Sequence, residues 1–195
     1  MSRFFRVGLI LLILGSCGVR DSDAPRNLDN ACAILTERPH YTRAFRQAER
    51  QWGVETHVLM AMIYQESKFI ADNRPPHQYA LGVIPTGRQS SALGYSQALD
   101  GTWEEYQNAR GGRSANRTDI NDAVDFMGWY MTHTVEETGV PLNDTRNQYL
   151  AYHEGRTGYN RGSYNGKAWL LRIADEVAQR AVMYEVQLRS CRSFR

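Results

Sequence analysis

Apolar residues recur at helical spacing along most of this chain, and one of the stripes they form contains an acid. Leu59, Met62, Ile63, Phe69 and Ile70 stand three, four or seven residues from Glu66, the offsets that share one side of an α-helix. The pattern predicts that helix from about Glu55 to Lys68. Before it, Ala44, Phe45, Ala48 and Trp52 mark a helix from about Tyr41 that stops at Gly53. Residues 73–97 carry three prolines among Gly and Ser and read as a long loop. Thr102 and Glu105 have the spacing of a capping box, with Trp103 as first helical residue and an end near Gly111 and Gly112. Asp119 is placed to cap a helix whose face is Ile120, Val124, Met127, Met131 and Val135, ended by Gly139 and Pro141. Asp144 is placed to cap "TRNQYLAYHEG". A last helix over 167–189 should bury Trp169, Leu170, Ile173, Val177, Ala181, Tyr184 and Leu188. No strong strand alternation or internal repeat is visible. The fold class expected is all-α, in one domain.

The first residues follow a different pattern. Arg3 and Arg6 precede an apolar run, Val7 to Leu14, too short to anchor stably across a bilayer. Leu14, Gly15, Ser16 and Cys17 follow. This resembles a bacterial lipoprotein signal, in which cleavage precedes a cysteine that becomes lipidated. The plainer alternative is a secretory signal with an incidental cysteine. Removal of residues 1–16 takes away two arginines and no acid, so the balance of +2 falls to zero. No basic field is left to suggest nucleic acid. Residues 18–31 are polar and aperiodic, as a tether would be.

Composition changes little: 42% hydrophobic and 23% charged residues are ordinary for a globular chain. The cysteine count adds more. With Cys17 assigned to lipid, Cys32 and Cys191 remain, and an exported protein meets an oxidising compartment. They are expected to pair, with two free thiols as the alternative. The bridge would be worth about 4–5 kcal/mol by the loop-entropy model.

Glu66 is the leading candidate for chemistry. A carboxyl group on an apolar stripe loses solvation, holds its proton near neutrality and suits general acid work. A glutamate fanning out to solvent, or paired with an arginine, would fit the position alone equally well. Its neighbours bear on the choice. "ESKF" at 66–69, "GYSQ" at 94–97 and "AYHEG" at 151–155 stand in the order and spacing of Glu-Ser-x-Phe, Gly-Leu-Met-Gln and Ala-Tyr-Asn-x-Gly. Those are motifs of the soluble lytic transglycosylase family, the goose-lysozyme-like enzymes that cut peptidoglycan. The chain resembles that family over about residues 55–160. It departs from it at Tyr95 and Ser96, where the family has an apolar pair, and at His153, where it has Asn.

The resemblance implies a goose-type lysozyme-like fold; together with the lipoprotein-like start it divides the chain into a signal (1–16), a lipidated cysteine with its tether (17–39) and a transglycosylase domain (40–195). It implies cleavage of the β-1,4 bond after N-acetylmuramic acid with 1,6-anhydromuramic acid as product, by Glu66 as acid and then base. Ser67 would help hold the sugar, Gln97 would meet the substrate, and Tyr152 would hydrogen-bond Glu66. The plainer alternatives are a helix-end hydroxyl for Ser67, a loop amide for Gln97 and core packing for Tyr152. Tyr184 is a further, weaker candidate. Loop residues Tyr79, Tyr95, Tyr159 and Tyr164, with Arg156 and Arg161, could meet the substrate's sugar rings and stem carboxylates. No cofactor is expected, and the five histidines lack metal-ligand spacing. The partners expected are glycan strands and, through Cys17, a membrane. The protein would be a monomer facing the periplasm, on the outer membrane of a diderm host. A hydrolase of the same fold using Asp72 or another carboxylate as base, and a non-catalytic glycan-binding component of a wall-spanning assembly, are the rival readings.

Overall fold

Glycines and left-handed residues stop the helices where the sequence places chain breaks. The computed structural model describes residues 23–110 and 112–194. Helix α1 (Ala31–Glu37) is capped by Asn30, whose side chain accepts from the Ala33 amide. Helix α2 (Pro39–Trp52) begins on a proline and ends at Gly53, φ 73°. Helix α3 (Thr56–Ser67) ends at Lys68, φ 54°. A hairpin follows, β1 (His77–Ala80) and β2 (Ile84–Arg88), then α4 (Asp100–Arg110), α5 (Ile120–Thr138), α6 (Thr145–Glu154), the short α7 (Arg156–Asn160) and α8 (Ala168–Arg189). A 3₁₀ turn, Arg192–Phe194, closes the described chain. Asp119 and Asp144 cap α5 and α6 as expected, and Gly139 ends α5 at φ 76°. The helical fold expected from the sequence is observed.

Helix α5 runs through the core. It packs on α2, while α3 and α6 both pack on α8. Gly128 explains the close approach of α5 to α2, because a Cβ there would meet the Trp52 ring at 2.3 Å. Aromatic rings fill the space around α5: Trp103, Tyr106, Phe126, Trp129 and Tyr130 lie edge-on or tilted against one another.

Four expectations need correction. The stretch taken as tether up to residue 39 is docked on the domain: Ala31, Ile34 and Leu35 are buried, and Arg38 donates to the Asp23 carbonyl at 2.9 Å. The domain therefore begins before residue 40. The loop at 73–97 contains the antiparallel hairpin, with His77 opposite Arg88 and a register shift at Gln78/Tyr79. All nine strand residues are exposed, so neither face required the alternation that would have revealed it. Helix α4 starts at Asp100, not after Thr102, because the Trp103 amide bonds to the Leu99 carbonyl at 2.9 Å. Trp169 is 46% exposed and Ile173 only half-buried, while Ala174 is buried.

Cys32 and Cys191 form a disulfide with Cα atoms 5.5 Å apart, tying α1 to the end of the chain. Residues 1–16 and Cys17 lie outside the described residues.

Candidate active site

Glu66 occupies the last turn of α3, and the chain directly after it is strained. Lys68 and Phe69 are both left-handed, at φ 54° and 62°, a conformation costly for residues other than glycine. The turn swings Phe69 into the core, stacked on Tyr41 with centroids 6.0 Å apart. Burial of Phe69 holds the turn, and the turn ends the helix immediately after Glu66. Among the described residues one other non-glycine at the site is left-handed, Gln97 at φ 49°. Such strain collects where surrounding structure over-determines a functional geometry.

Asn73 ties the first motif to the second. Its side-chain amide donates to the Glu66 carbonyl at 3.4 Å. Its own carbonyl accepts from the Gly94 amide at 2.9 Å and from Gln97 Nε2 at 2.9 Å. Gln97 Nε2 also donates to the Gly94 carbonyl at 2.8 Å. Both partners of the Gln97 nitrogen are pure acceptors, which fixes the amide orientation and leaves Oε1 as the end with acceptor capacity. Gly94 has φ +80°, and a Cβ there would lie 2.0 Å from the Arg117 carbonyl oxygen. Only glycine fits this turn. Tyr152 joins the third motif: its hydroxyl donates to the Ser96 carbonyl at 2.5 Å. The residues at 66–69, 94–97 and 151–155 thus form one hydrogen-bonded unit.

Electrostatics single out Glu66. The side chain keeps a partial opening to solvent, yet burial pushes its carboxyl from the ordinary 4.5 up to about 8. A hydrogen bond from Tyr149 and the nearby charge of Lys68 oppose that rise without cancelling it. At neutral pH the group is mostly protonated. Tyr149 is in turn held above the ordinary phenol range by burial and by Glu66, and its hydroxyl receives a bond from Gln65. Tyr152 is pushed well above that range, by burial first and the Glu66 charge second. Beside Tyr152 opens a cleft of about 220 Å³, lined by Gln97, Thr102, Tyr130, Tyr152 and Glu154 among others. Burial opposes ionisation of Glu154, but bonds from Lys167, Ser163 and His153 outweigh it and hold its carboxyl at about 2. Glu66 is therefore a proton donor, and Glu154 in the cleft lining is a fixed anion.

A family model described as a transglycosylase SLT domain matches residues 5–191. The chain belongs to the transglycosylase SLT-domain family. Its function is accordingly of the transglycosylase type, acting on peptidoglycan, and its helical fold is the lysozyme-like one. No curated protein matches the chain.

Within this SLT domain the predicted site residues separate. Glu66, Gln97 and Tyr152 are brought together. The partner of Glu66, however, is Tyr149, because the Tyr152 hydroxyl is taken by Ser96. Tyr95 does not face a substrate: it is 1% exposed, and its hydroxyl shares a 2.9 Å bond with that of Tyr41. Tyr95 and Ser96 are both buried, as the family's apolar pair would be, and the tyrosine fits there because Tyr41 satisfies its polar end. Ser67 is likewise buried, and its hydroxyl bonds the Ile63 carbonyl of its own helix at 3.2 Å. Tyr184 is core, donating to the Leu28 carbonyl. Tyr159 and Tyr164 stack at 5.1 Å, Arg156 pairs with Glu137 at 2.6 Å and covers the Tyr130 ring, and Tyr79 is exposed on the hairpin. Asp72 is exposed in the turn after Ile70 and does not line the cleft. Sequence reasoning missed Tyr149, Asn73 and Gln65. Tyr149 carried one usable signal, since it stands three residues before Tyr152 and shares its helix face.

Proposed function

We propose that this SLT-domain protein is a lytic transglycosylase that cleaves the glycan at N-acetylmuramic acid and leaves 1,6-anhydromuramic acid ends. The observation that carries this reading is the protonated carboxyl of Glu66, joined through Asn73 and Gln97 to a cleft whose lining acid, Glu154, is locked as an anion. Glu66 gives its proton to the bridging oxygen as the C1–O bond breaks. The N-acetyl carbonyl of the sugar stabilises the positive charge at C1. The C6 hydroxyl of the same sugar then attacks C1, and the Glu66 carboxylate takes the hydroxyl proton. No water is consumed, and the acid is restored. Holding the nucleophile on the substrate converts the second step into an intramolecular one. Tyr149 is the positioning residue: its hydroxyl bond stabilises the carboxylate between the two proton transfers. Gln97 offers Oε1 to sugar hydroxyls or amides.

Mass spectrometry of purified peptidoglycan after digestion tests the reading. Anhydro ends made by wild type and absent with Glu66→Gln are expected, with a rate loss of about 10⁴ or more because one residue serves both proton transfers. Reducing ends from wild type, lost in Asp72→Asn, would identify a hydrolase. Glycan binding without any cleavage would identify a binding component. The placement of the protein is part of the same proposal: residues 1–16 as signal, Cys17 as lipidated, and a monomer facing the periplasm from the outer membrane. Incorporation of a fatty-acid analogue into wild type, and its absence in Cys17→Ala, is the outcome expected; an unlabelled wild type refutes that placement.

A further inference from the structure

Glu66 lies on one side of the end of α3. The other side opens on a second cavity of about 380 Å³ between α3 and α8, lined by Tyr64, Gln65, Lys68, Glu176, Gln179 and Arg180 among others. Nothing in the reaction described above uses it. Helix α3 supplies Tyr64, Gln65 and Lys68. Helix α8 supplies Glu176, Gln179 and Arg180, whose spacing of three and four puts them on one face.

The cavity carries both charges, Lys68 and Arg180 against Glu176, and of these Arg180 is already ion-paired with Asp29. Two cations bear on the Tyr64 ring, Lys68 Nζ at 3.6 Å and Arg180 Cζ at 3.3 Å from its centroid. Arg180 is fixed from behind, its Nη1 bonded to Asp29 at 3.0 Å, the Leu28 carbonyl at 3.1 Å and the Tyr184 hydroxyl at 3.2 Å. Lys68 is held in place by its left-handed backbone and by the Tyr64 ring. Through space it is repelled by Arg180 and attracted by Glu66 and Glu176. Glu176 is exposed at the cavity on the opposite helix. A simple anion would be drawn to Lys68 and repelled by Glu176, and a simple cation would meet the reverse. A group with an ammonium and a carboxylate on the same carbon satisfies both sides at once.

We propose that this cavity is a recognition site for a free amino-acid head group, its carboxylate toward Lys68 and Arg180 and its ammonium toward Glu176. Resting on the peptidoglycan reading, its source is the free end of an uncrosslinked diamino-acid residue in a peptide stem. The cavity communicates with the acid through one residue. Gln65 lines it and donates to the Tyr149 hydroxyl, which donates to Glu66. A stem seated there bears on the group that positions the acid, so the enzyme favours strands whose stems are not crosslinked.

The test is binding, read apart from turnover. Glu66→Gln protein is titrated with a stem tripeptide ending in diaminopimelate, followed by calorimetry and by amide shifts. The same peptide with its distal carboxylate amidated, or its distal amine acetylated, serves as control. Saturable binding is expected, with shifts at the ends of α3 and α8. Either modification should weaken it tenfold or more, as should Lys68→Met or Glu176→Gln in variants whose circular dichroism is unchanged. Free diaminopimelate binding as tightly as the tripeptide would support the head-group chemistry and assign it to the free amino acid. Equal binding of the capped peptides, or no saturable binding at millimolar peptide, would overturn the proposal. Anhydro ends made by wild type on stem-stripped glycan, with no stem binding, would overturn this proposal alone. Stem binding by a protein that cleaves no glycan would uphold the site and overturn the transglycosylase reading.

Discussion

Replacing Glu66 with glutamine should make the protein more stable, by an amount that grows with pH. Folding holds this carboxyl at about 8 against an ordinary 4.5. Below pH 4.5 it is protonated in both states, and its contribution to stability is fully present. Between 4.5 and 8 the unfolded chain has released the proton while the folded protein retains it, so stability falls as pH rises, by about 1.4 kcal/mol per pH unit. Above 8 both states are ionised and the loss is complete. The full window gives a ceiling of about 5 kcal/mol. Water entering the partial opening at Glu66 eases that cost, and about 3–5 kcal/mol is the working figure. Glutamine keeps the shape and does not titrate, so the variant escapes this loss. Other groups titrate alike in both proteins and cancel in the difference. Urea unfolding of wild type and Glu66→Gln at each pH from 4 to 9, with the disulfide intact, measures it. The stability gap should open between pH 5 and 8, with the variant melting higher by roughly 10 °C at pH 8. A gap that stays constant with pH refutes the buried-acid reading. A gap that opens in the opposite direction would place Glu66 in an ion pair.

Tyr149→Phe removes a bond that favours the charged form of Glu66. It should lower turnover by about 10–100-fold and move the alkaline limb of kcat/KM to higher pH; Tyr152→Phe, whose hydroxyl belongs to Ser96, should move that limb less. Gly94→Ala drives a Cβ to 2.0 Å from the Arg117 carbonyl oxygen at positive φ, so a stability loss of about 2–5 kcal/mol by denaturant unfolding is expected, together with lost activity. Replacing Cys32 and Cys191 by serine should cost up to about 4–5 kcal/mol, read as a lower urea midpoint with the native structure otherwise kept.

What could be read from the sequence was what depends on local chemistry. Gly53, Gly139, Asp119 and Asp144 act on the helix ends next to them, and each does so in the structure. Glu66 could be found because an acid on an apolar stripe violates a periodic pattern. The misreadings arose where the deciding contact is distant in sequence. Tyr95 looked like a loop residue available to a ligand, but its fate is set by Tyr41, 54 residues earlier. Tyr152 was read as the partner of Glu66, and Ser96 claims it from 56 residues away. Residues 23–39 lack a long periodic run, yet Leu28 and Asp29 are held by Arg180 and Tyr184 from the far end of the chain. The hairpin escaped because all its strand residues are exposed, so its sequence was free of the pattern that burial imposes.

The bond between Cys32 and Cys191, 159 residues apart, has a further effect. It turns nearly the whole described chain into a covalent ring. A protease that nicks the exposed hairpin, at Leu81 for instance, opens the ring without dividing the molecule. The segments before and after the nick stay joined at the other end of the ring, and α2 with α5, and α3 with α8, still hold them together across the core. Nicked protein should migrate as one species until thiol is added, and as two fragments afterwards. The ring thereby separates backbone damage from loss of the folded site.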